Sequence, residues 1–527
     1  MTEHSQSIRR PFRHQAFRNL WGGSAVYFLG GAMQAMATSW LIVELTQSSF
    51  LVALVQTAVF LPMFLLSLPA GVLADTADRY KIIRVALLVQ VAVTALLAIL
   101  VMFNRAGPAT LLFMTFVLGC CTALQHPAFN SAVLDTIARD ELPQAITAGG
   151  IAYNVARALG PALAGLMFAY VGPGWVFVVT TASMLVLLQT VKKWPPKPHP
   201  PTRLPAERLW GGMLSGLRFA RHSKAVLAQL IRTMAYGVAG SALWALIPVI
   251  AQQRLGLGAA GFGLLMGCLG AGAVSAGLVI GRVRARIGLE ALVEGGCVAF
   301  ALAMLVAALS PWAPPVYLAL FVGGGAWTSV MSTFNATTQS SAPPWVRSRA
   351  MAMHTISALG AFAVGSAVWG GVAELAGLSV TLVIAAICML AGLFLVRPFP
   401  LRMGEVVEVT QSTAWEELFV AAEPNPEDGP IAVEIGYHID ARNALEFLNT
   451  LSQMRAPRKR DGATFWRVYR DLGDPTRYSE RFIVTSWADY LHQRARATMA
   501  DQQLEGRVRE FLLPGESVSV HHYIAER

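Results

Sequence analysis

The stretch Gly71-Val72-Leu73-Ala74-Asp75-Thr76-Ala77-Asp78-Arg79-Tyr80-Lys81 decides how the chain is read. Asp75, Asp78, Arg79 and Lys81 crowd together, while apolar runs at 50–73 and 82–103 flank them on either side. A helix needs about 20 mostly apolar residues to cross hydrocarbon, since each residue rises about 1.5 Å and an unsatisfied backbone group is not tolerated there. The stretch is therefore a short polar turn between two membrane spans.

Working outward, the same criterion finds spans at 20–43, 109–131, 145–168, 173–191, 226–250, 260–281, 289–310, 315–338, 349–371 and 376–396. Composition agrees. Mean hydropathy is +0.51, and only 14% of residues are charged, against about 25% in soluble domains. The expected fold class is an all-α polytopic membrane protein with 12 transmembrane helices in two six-helix halves, followed by a small α+β domain. The expected boundaries are an N-terminal segment 1–19, a first half 20–191, a Pro-rich linker 192–225, a second half 226–396, a linker 397–430 and a soluble domain 431–527.

A net charge of +10 raises the question of nucleic acid, and the placement of the basic residues answers it. The N-terminal segment, alternate loops and the start of the tail hold 23 Lys and Arg residues, whereas the other loops hold Arg105 and Arg254 alone. Basic residues in short loops stay on the cytoplasmic side. The charge is thus topology, with both termini expected in the cytoplasm of a bacterial cell and the spans in its inner membrane. The five cysteines fall in apolar stretches without metal-ligand spacing, so they read as small hydrophobes. No metal site, cofactor or nucleic-acid partner is expected, and the chain is not expected to be an enzyme.

The second half repeats the first. At an offset of 205, Phe129-Asn130 meets Phe334-Asn335, Ala145 meets Ala350, Gly160 meets Gly365 and Gly165 meets Gly370 without gaps. Repeated halves place a substrate site at their interface near the midplane, where two bundles can rock about it.

The opening stretch resembles the signature loop between the second and third spans of the major facilitator superfamily, departing from it at Thr76 and Asp78. The resemblance implies a conformational latch built from Gly71, Asp75 and Arg79, with Asp135 as the carboxylate partner of Arg79. Gly160-Pro161-Ala162-Leu163-Ala164-Gly165 resembles the helix-bending Gly-Pro motif of exporters in that superfamily, although membrane helices packed through small residues give similar strings. Phe17-Arg18-Asn19-Leu20-Trp21, Trp40 to Thr46, His126-Pro127-Ala128 and Asn154 to Pro161 look like the transmembrane secretion effector branch, which includes relatives of the enterobactin exporter and of macrolide efflux pumps. That likeness implies proton-driven efflux of small organic molecules, siderophore-like or drug-like. An importer of metabolites on the same scaffold is the alternative.

Polar side chains in hydrocarbon are costly and mark candidate sites. Gln34, Gln56, Gln125, Asn154, Arg157 and Asn335 are candidates for the substrate path, with Trp244 and Trp327 as aromatic walls; Trp369 is a further aromatic. Arg157, about two turns from the cytoplasmic end of its span, either attracts an anionic substrate or ties to a neighbouring helix. Glu44, Asp135 and His354 are the proton candidates, and no carboxylate sits clearly at mid-depth.

Beyond the last span, strands at 431–439, 464–469, 482–486 and 518–524 alternate with helices at 441–454 and 487–511. This order is ferredoxin-like and resembles dimeric α/β barrels of the antibiotic-biosynthesis monooxygenase type. It implies a homodimer through the tail, or else a tethered oxygenase or ligand-sensing module. Arg455-Ala456-Pro457-Arg458-Lys459-Arg460 reads as a solvated turn.

Overall fold

The computed structural model describes residues 10–134, 136–138, 141–193, 217–412, 420 and 423–526. Among them, 12 helices are long and apolar enough to cross a membrane. They are α1 (Gln15–Leu45), α2 (Ser49–Thr76), α3 (Arg79–Met102), α4 (Pro108–Leu134), α5 (Leu142–Tyr170), α6 (Pro173–Lys192), α7 (Lys224–Val249), α8 (Ala259–Ile287), α9 (Leu289–Leu309), α10 (Ala313–Ser341), α11 (Arg347–Ala376) and α12 (Leu378–Leu395). Most of the expected linker, Trp194 to Pro201 included, lies outside the described residues.

Local chemistry sets the helix ends. Asp78, a departure from the superfamily pattern, is the N-cap of α3, its Oδ1 accepting from the backbone N–H of Tyr80 at 2.9 Å and of Lys81 at 3.2 Å. Such a cap contributes about 1 kcal/mol. Across the turn, Arg79 Nε donates to the Ala74 carbonyl at 3.2 Å and so caps the last turn of α2. Gly288 and Gly377, with φ of 81° and 84°, reverse the chain between α8 and α9 and between α11 and α12 in a conformation that side chains disfavour.

α1 starts five residues before the expected span. Phe12 packs edge-on against Phe17 and Trp21, and Trp21 Nε1 donates to the Ala148 carbonyl at 2.9 Å. Arg10 and His14 both reach Glu141, at 3.1 and 2.8 Å, just before α5. These contacts draw residues 10–18 onto the bundle.

The chain divides into two compact units, one of Met1–Arg203, Thr233–Thr333 and Ile356–Arg397, the other of Leu204–Arg232, Phe334–Thr355 and Pro398–Arg527. In the first, glycines of the repeat make matching contacts. A Cβ on Gly160 of α5 would stand 2.6 Å from the Ala32 Cβ of α1, and a Cβ on Gly365 of α11 would stand 3.0 Å from the Val238 carbonyl oxygen of α7. Each glycine thus meets the first helix of its own half. A Cβ on Gly165 would stand 2.6 Å from the Ala259 carbonyl of α8, and one on Gly370 would stand 2.5 Å from the Ala53 Cβ of α2. Here each glycine meets the second helix of the opposite half. Equivalent residues therefore do equivalent work, and α5 with α8 and α2 with α11 form two pseudo-symmetric seams between the halves.

The second unit joins the tail to the ends of α7, α10 and α11 on the side of the basic loops. Phe219, Ala220, Val226, Leu230, Ala342, Val346 and Ala350 form a small core there, with Trp345 against it. Arg496 lies with its guanidinium 4.5 Å from the Trp345 ring centre. Arg232 Nε donates to the Phe399 carbonyl at 2.7 Å, and Arg218 donates to the Gly462 carbonyl at 3.4 Å.

The tail contains β1 (Ile431–His438), α13 (Ala444–Ser452), α14 (Arg455–Asp461), β2 (Phe465–Arg470), β3 (Arg477–Val484), α15 (Trp487–Arg496), α16 (Met499–Arg509) and β4 (Ser519–Ile524). Its sheet has the order β2-β3-β1-β4, antiparallel throughout, with Ile431 opposite Val484 on one side and Ile524 on the other. This is the expected ferredoxin-like arrangement. The expected second helix is split, because Thr498 starts α16 with a capping box closed by Asp501.

The expectation of a solvated turn at Arg455 to Arg460 is overturned. These residues form α14, and the Arg458 and Arg460 side chains are only 16% and 14% exposed. Arg458 Nε donates to Glu480 at 3.1 Å while its Nη2 reaches Glu505 at 2.9 Å. Arg460 pairs with Asp461 and Asp501. Acids distant in sequence, invisible to local charge reading, turn a basic run inward.

Candidate transport site

The α5–α8 seam is lined with small residues, which brings backbones close. Beyond Gly165, a Cβ on Gly263 would stand 2.6 Å from the Pro161 carbonyl, and one on Gly270 would stand 2.5 Å from the Ala158 Cα. α5 runs unbroken through Pro161. Close approach of this kind is how membrane helices associate, since lipid supplies no hydrophobic drive between them.

Arg157 sits where this seam meets α7. α5 begins at Leu142, earlier than the expected span, so Arg157 is fifteen residues in, about 22 Å along the axis at 1.5 Å per residue. That is about four turns, near the middle of the helix; the expected two turns undercounts even from the expected start at residue 145, which lies more than three turns before Arg157. Its guanidinium carbon lies 5.2 Å from the Trp244 ring centre and 5.8 Å from that of Tyr153. Among the described residues it takes part in no ion pair.

Trp244 leads into an aromatic cluster. Its ring lies 6.0 Å from Trp327, edge to face, and Trp327 stacks on Tyr236 at 4.8 Å. Phe300 and Phe362 lie 5.4 and 5.2 Å from Trp327, and Phe60 of α2 lies 5.1 Å from Phe362. Gly240 makes this possible, since a Cβ there would stand 2.4 Å from the Trp327 ring. Trp244 is 8% exposed and its Nε1 has no hydrogen-bond partner among the described residues. Trp369 is spent elsewhere, donating to the Val238 carbonyl at 2.7 Å and fastening α11 to α7.

The structure thus brings Arg157, Trp244 and Trp327 together, and the described residues among the other candidates have positions and partners of their own. Gln34 is buried and donates to Thr38 on its own helix at 3.1 Å. Gln125 accepts from Gln90 Nε2 at 3.1 Å. Gln90, 1% exposed, meets the same polar-in-hydrocarbon criterion as Gln125, and with Thr94 and Thr181 it makes a polar seam inside the first half. Tyr236, Phe300 and Phe362 carry no sequence signal beyond ordinary apolar character. Gln56 is partly buried on α2, while Asn154 is exposed and donates back to the Gly150 carbonyl. Asn335, exposed on α10, and His354, buried on α11, belong to the second unit.

Glu44 is exposed in the last turn of α1, where Trp40 Nε1 donates to it at 2.6 Å. Of the latch, Gly71 and Arg79 are described as above. Asp135 and the Asp75 side chain lie outside the described residues. Arg254, isolated at the end opposite the basic loops, donates to the Leu309 and Ser310 carbonyls at the end of α9.

Two halves joined by paired seams, with a polar and aromatic site between them, define a multi-pass membrane transporter. The chain belongs to the transmembrane secretion effector family, whose model matches residues 6–527. It is 27% identical over 394 residues to the multidrug efflux pump Tap of Mycobacterium tuberculosis, covering 71% of this chain and 91% of that one. It is 27% identical over 374 residues to the enterobactin exporter EntS of Shigella boydii, covering 68% and 85%. A staphyloferrin A transporter of Staphylococcus aureus matches at 25% identity over 150 residues, 28% of this chain and 38% of that protein. Among solved structures, the nucleoside transporter NupG has a TM-score of 0.58 at 14% identity, covering 73% of this chain and 99% of its own. A bacterial homologue of the lysosomal transporter Spinster, inward-facing and occupied, scores 0.60 at 13% identity, covering 74% and 97%. These two likenesses concern the fold.

Proposed function

We propose that the chain exports small organic molecules, siderophore-like or drug-like, across a bacterial inner membrane by alternating access, with protons moving inward in exchange. The observation that carries this reading is the pair of pseudo-symmetric glycine seams. Two equivalent joints let six-helix halves rock about a site held between them. Similarity to Tap and EntS supports the outward direction.

In this reading Arg157, Trp244 and Trp327 contact cargo at mid-depth, and Gln34, Gln56, Gln125, Asn154 and Asn335 line its path. Gly160, Pro161 and Gly165 let α5 flex against its neighbours, and Gly71, Asp75, Arg79 and Asp135 latch one conformation. Glu44, Asp135 and His354 are the groups through which protons enter the cycle. Both termini lie in the cytoplasm, and the exposed Tyr469 and Tyr523 of the tail sheet face a second copy of the chain.

Cells expressing the protein should retain less of an effluxed dye or catecholate than cells lacking it, and a protonophore should abolish the difference. Equal retention across a broad panel would contradict export.

A further inference from the structure

We propose that Arg157 and Trp244 recognise an organic anion with a planar aromatic body, such as an aryl carboxylate or phenolate; this deepens the transporter reading and rests on it. The first observation is how the chain treats three other inward-facing arginines. Arg458 has Glu480 and Glu505, Arg460 has Asp461 and Asp501, and Arg232 has a backbone carbonyl. Arg157 has two aromatic faces. A ring face answers the charge of a guanidinium but takes none of its five N–H donors.

The second observation is independent. Trp244 is buried, and its indole Nε1, which can only donate, is unpartnered among the described residues. Donors from two helices, one of them cationic, therefore stand beside aromatic walls with no acceptor among the described residues. An anion brings acceptors and charge, and an aromatic body stacks on the walls. A cation would meet Arg157 with like charge.

The repeat supplies a third argument. At the offset of 205 that superposes the seam glycines, the counterpart of Arg157 is Phe362, which packs into the aromatic cluster against Trp327 and Phe60. The joints are kept in both halves, whereas this position differs, being a cation in one and a phenyl ring in the other. Such asymmetry fits a cargo that is charged at one end and apolar at the other. An interior-negative potential also favours outward movement of an anion, a drive that needs no titrating carboxylate at mid-depth.

The test is equilibrium binding to the full-length protein in lipid nanodiscs, with 2-naphthoate, its neutral isostere 2-naphthamide and the cation 2-naphthylmethylammonium. Naphthoate should bind at least about tenfold tighter than the amide, and the cation most weakly. Arg157→Gln should lower naphthoate affinity to about that of naphthamide in the same variant and so erase the preference, Arg157→Lys should keep part of it, and Trp244→Phe should weaken naphthoate a few-fold. No binding of naphthoate, equal affinities, or a preference that survives Arg157→Gln would overturn the assignment. Transport in proteoliposomes separates the two claims. Movement of neutral or cationic dyes but not naphthoate would sink the anion site and leave transport standing, whereas Arg157-dependent binding with no movement of any compound would sink export instead.

Discussion

The membrane body and the tail treat a half-buried cation in opposite ways. In the tail, Glu480 is fully buried and accepts from Tyr437, Trp466 and Arg458 together, so charge and hydrogen bonds are satisfied within the fold. In the body, Arg157 lies over the Tyr153 and Trp244 rings and takes part in no ion pair among the described residues. A paired charge in a protein interior holds structure, and breaking it costs more than the pair contributes. A charge left without a counter-ion inside a membrane is costly to the fold and marks function.

The largest expected effect lies in the tail. Glu480→Ala leaves Arg458 short of its buried partner and should destabilise the domain by about 3–5 kcal/mol, seen as loss of hydrogen-exchange protection across β1 and β3, while transport survives at least in part. Arg157→Gln should do the reverse. Its melting temperature should match wild type while export falls about tenfold or more, equivalent to about 1.4 kcal/mol of binding. Should Arg157→Gln melt early with transport intact, the arginine is a structural tie and the contrast between the two regions fails.

The seams sharpen the comparison within the body. Gly165→Leu and Gly370→Leu each force a side chain into a neighbouring helix, an overpacking of about 1–3 kcal/mol. Because the contacts are pseudo-symmetric, the two variants should slow transport to a similar degree, measured as initial rates at equal protein level. Asp78→Ala should cost about 1 kcal/mol at the start of α3, read as faster exchange of the Tyr80 and Lys81 amides. The smallest effect concerns pH. Burial, with Arg494 and His521 nearby, holds His522 below the ordinary imidazole range. A base depressed by folding contributes stability above its unfolded value, lost as pH falls through the folded one. Protection of β4 should therefore weaken on acidification below about pH 6.5, and His522→Gln should flatten that dependence.

The spans were legible in the sequence because hydrocarbon imposes a length and an apolar composition that no neighbour can override. The repeat was legible for a related reason, since Gly160, Gly165, Gly365 and Gly370 stand where backbones touch and any Cβ would collide. Arg157 and Trp244 could be chosen separately as costly or bulky residues, but their meeting depends on how α5 and α7 cross, which no local pattern encodes. Gln90 was open to the same criterion as Gln125, and only the structure shows the two hydrogen-bonded. The basic run at Arg455 to Arg460 misleads because its partners, Glu480, Asp501 and Glu505, come from later elements of the tail. Charge seen along a chain says nothing of charge met across a fold.

The most direct test of export is reconstitution of the full-length protein in proteoliposomes with its membrane orientation fixed by protease protection, an imposed proton gradient, and labelled cargo added from the face that carries the basic loops. The account predicts movement from that face to the other, stopped by collapse of the gradient. Movement in the opposite direction only, or flux equal to that of protein-free vesicles, would contradict it.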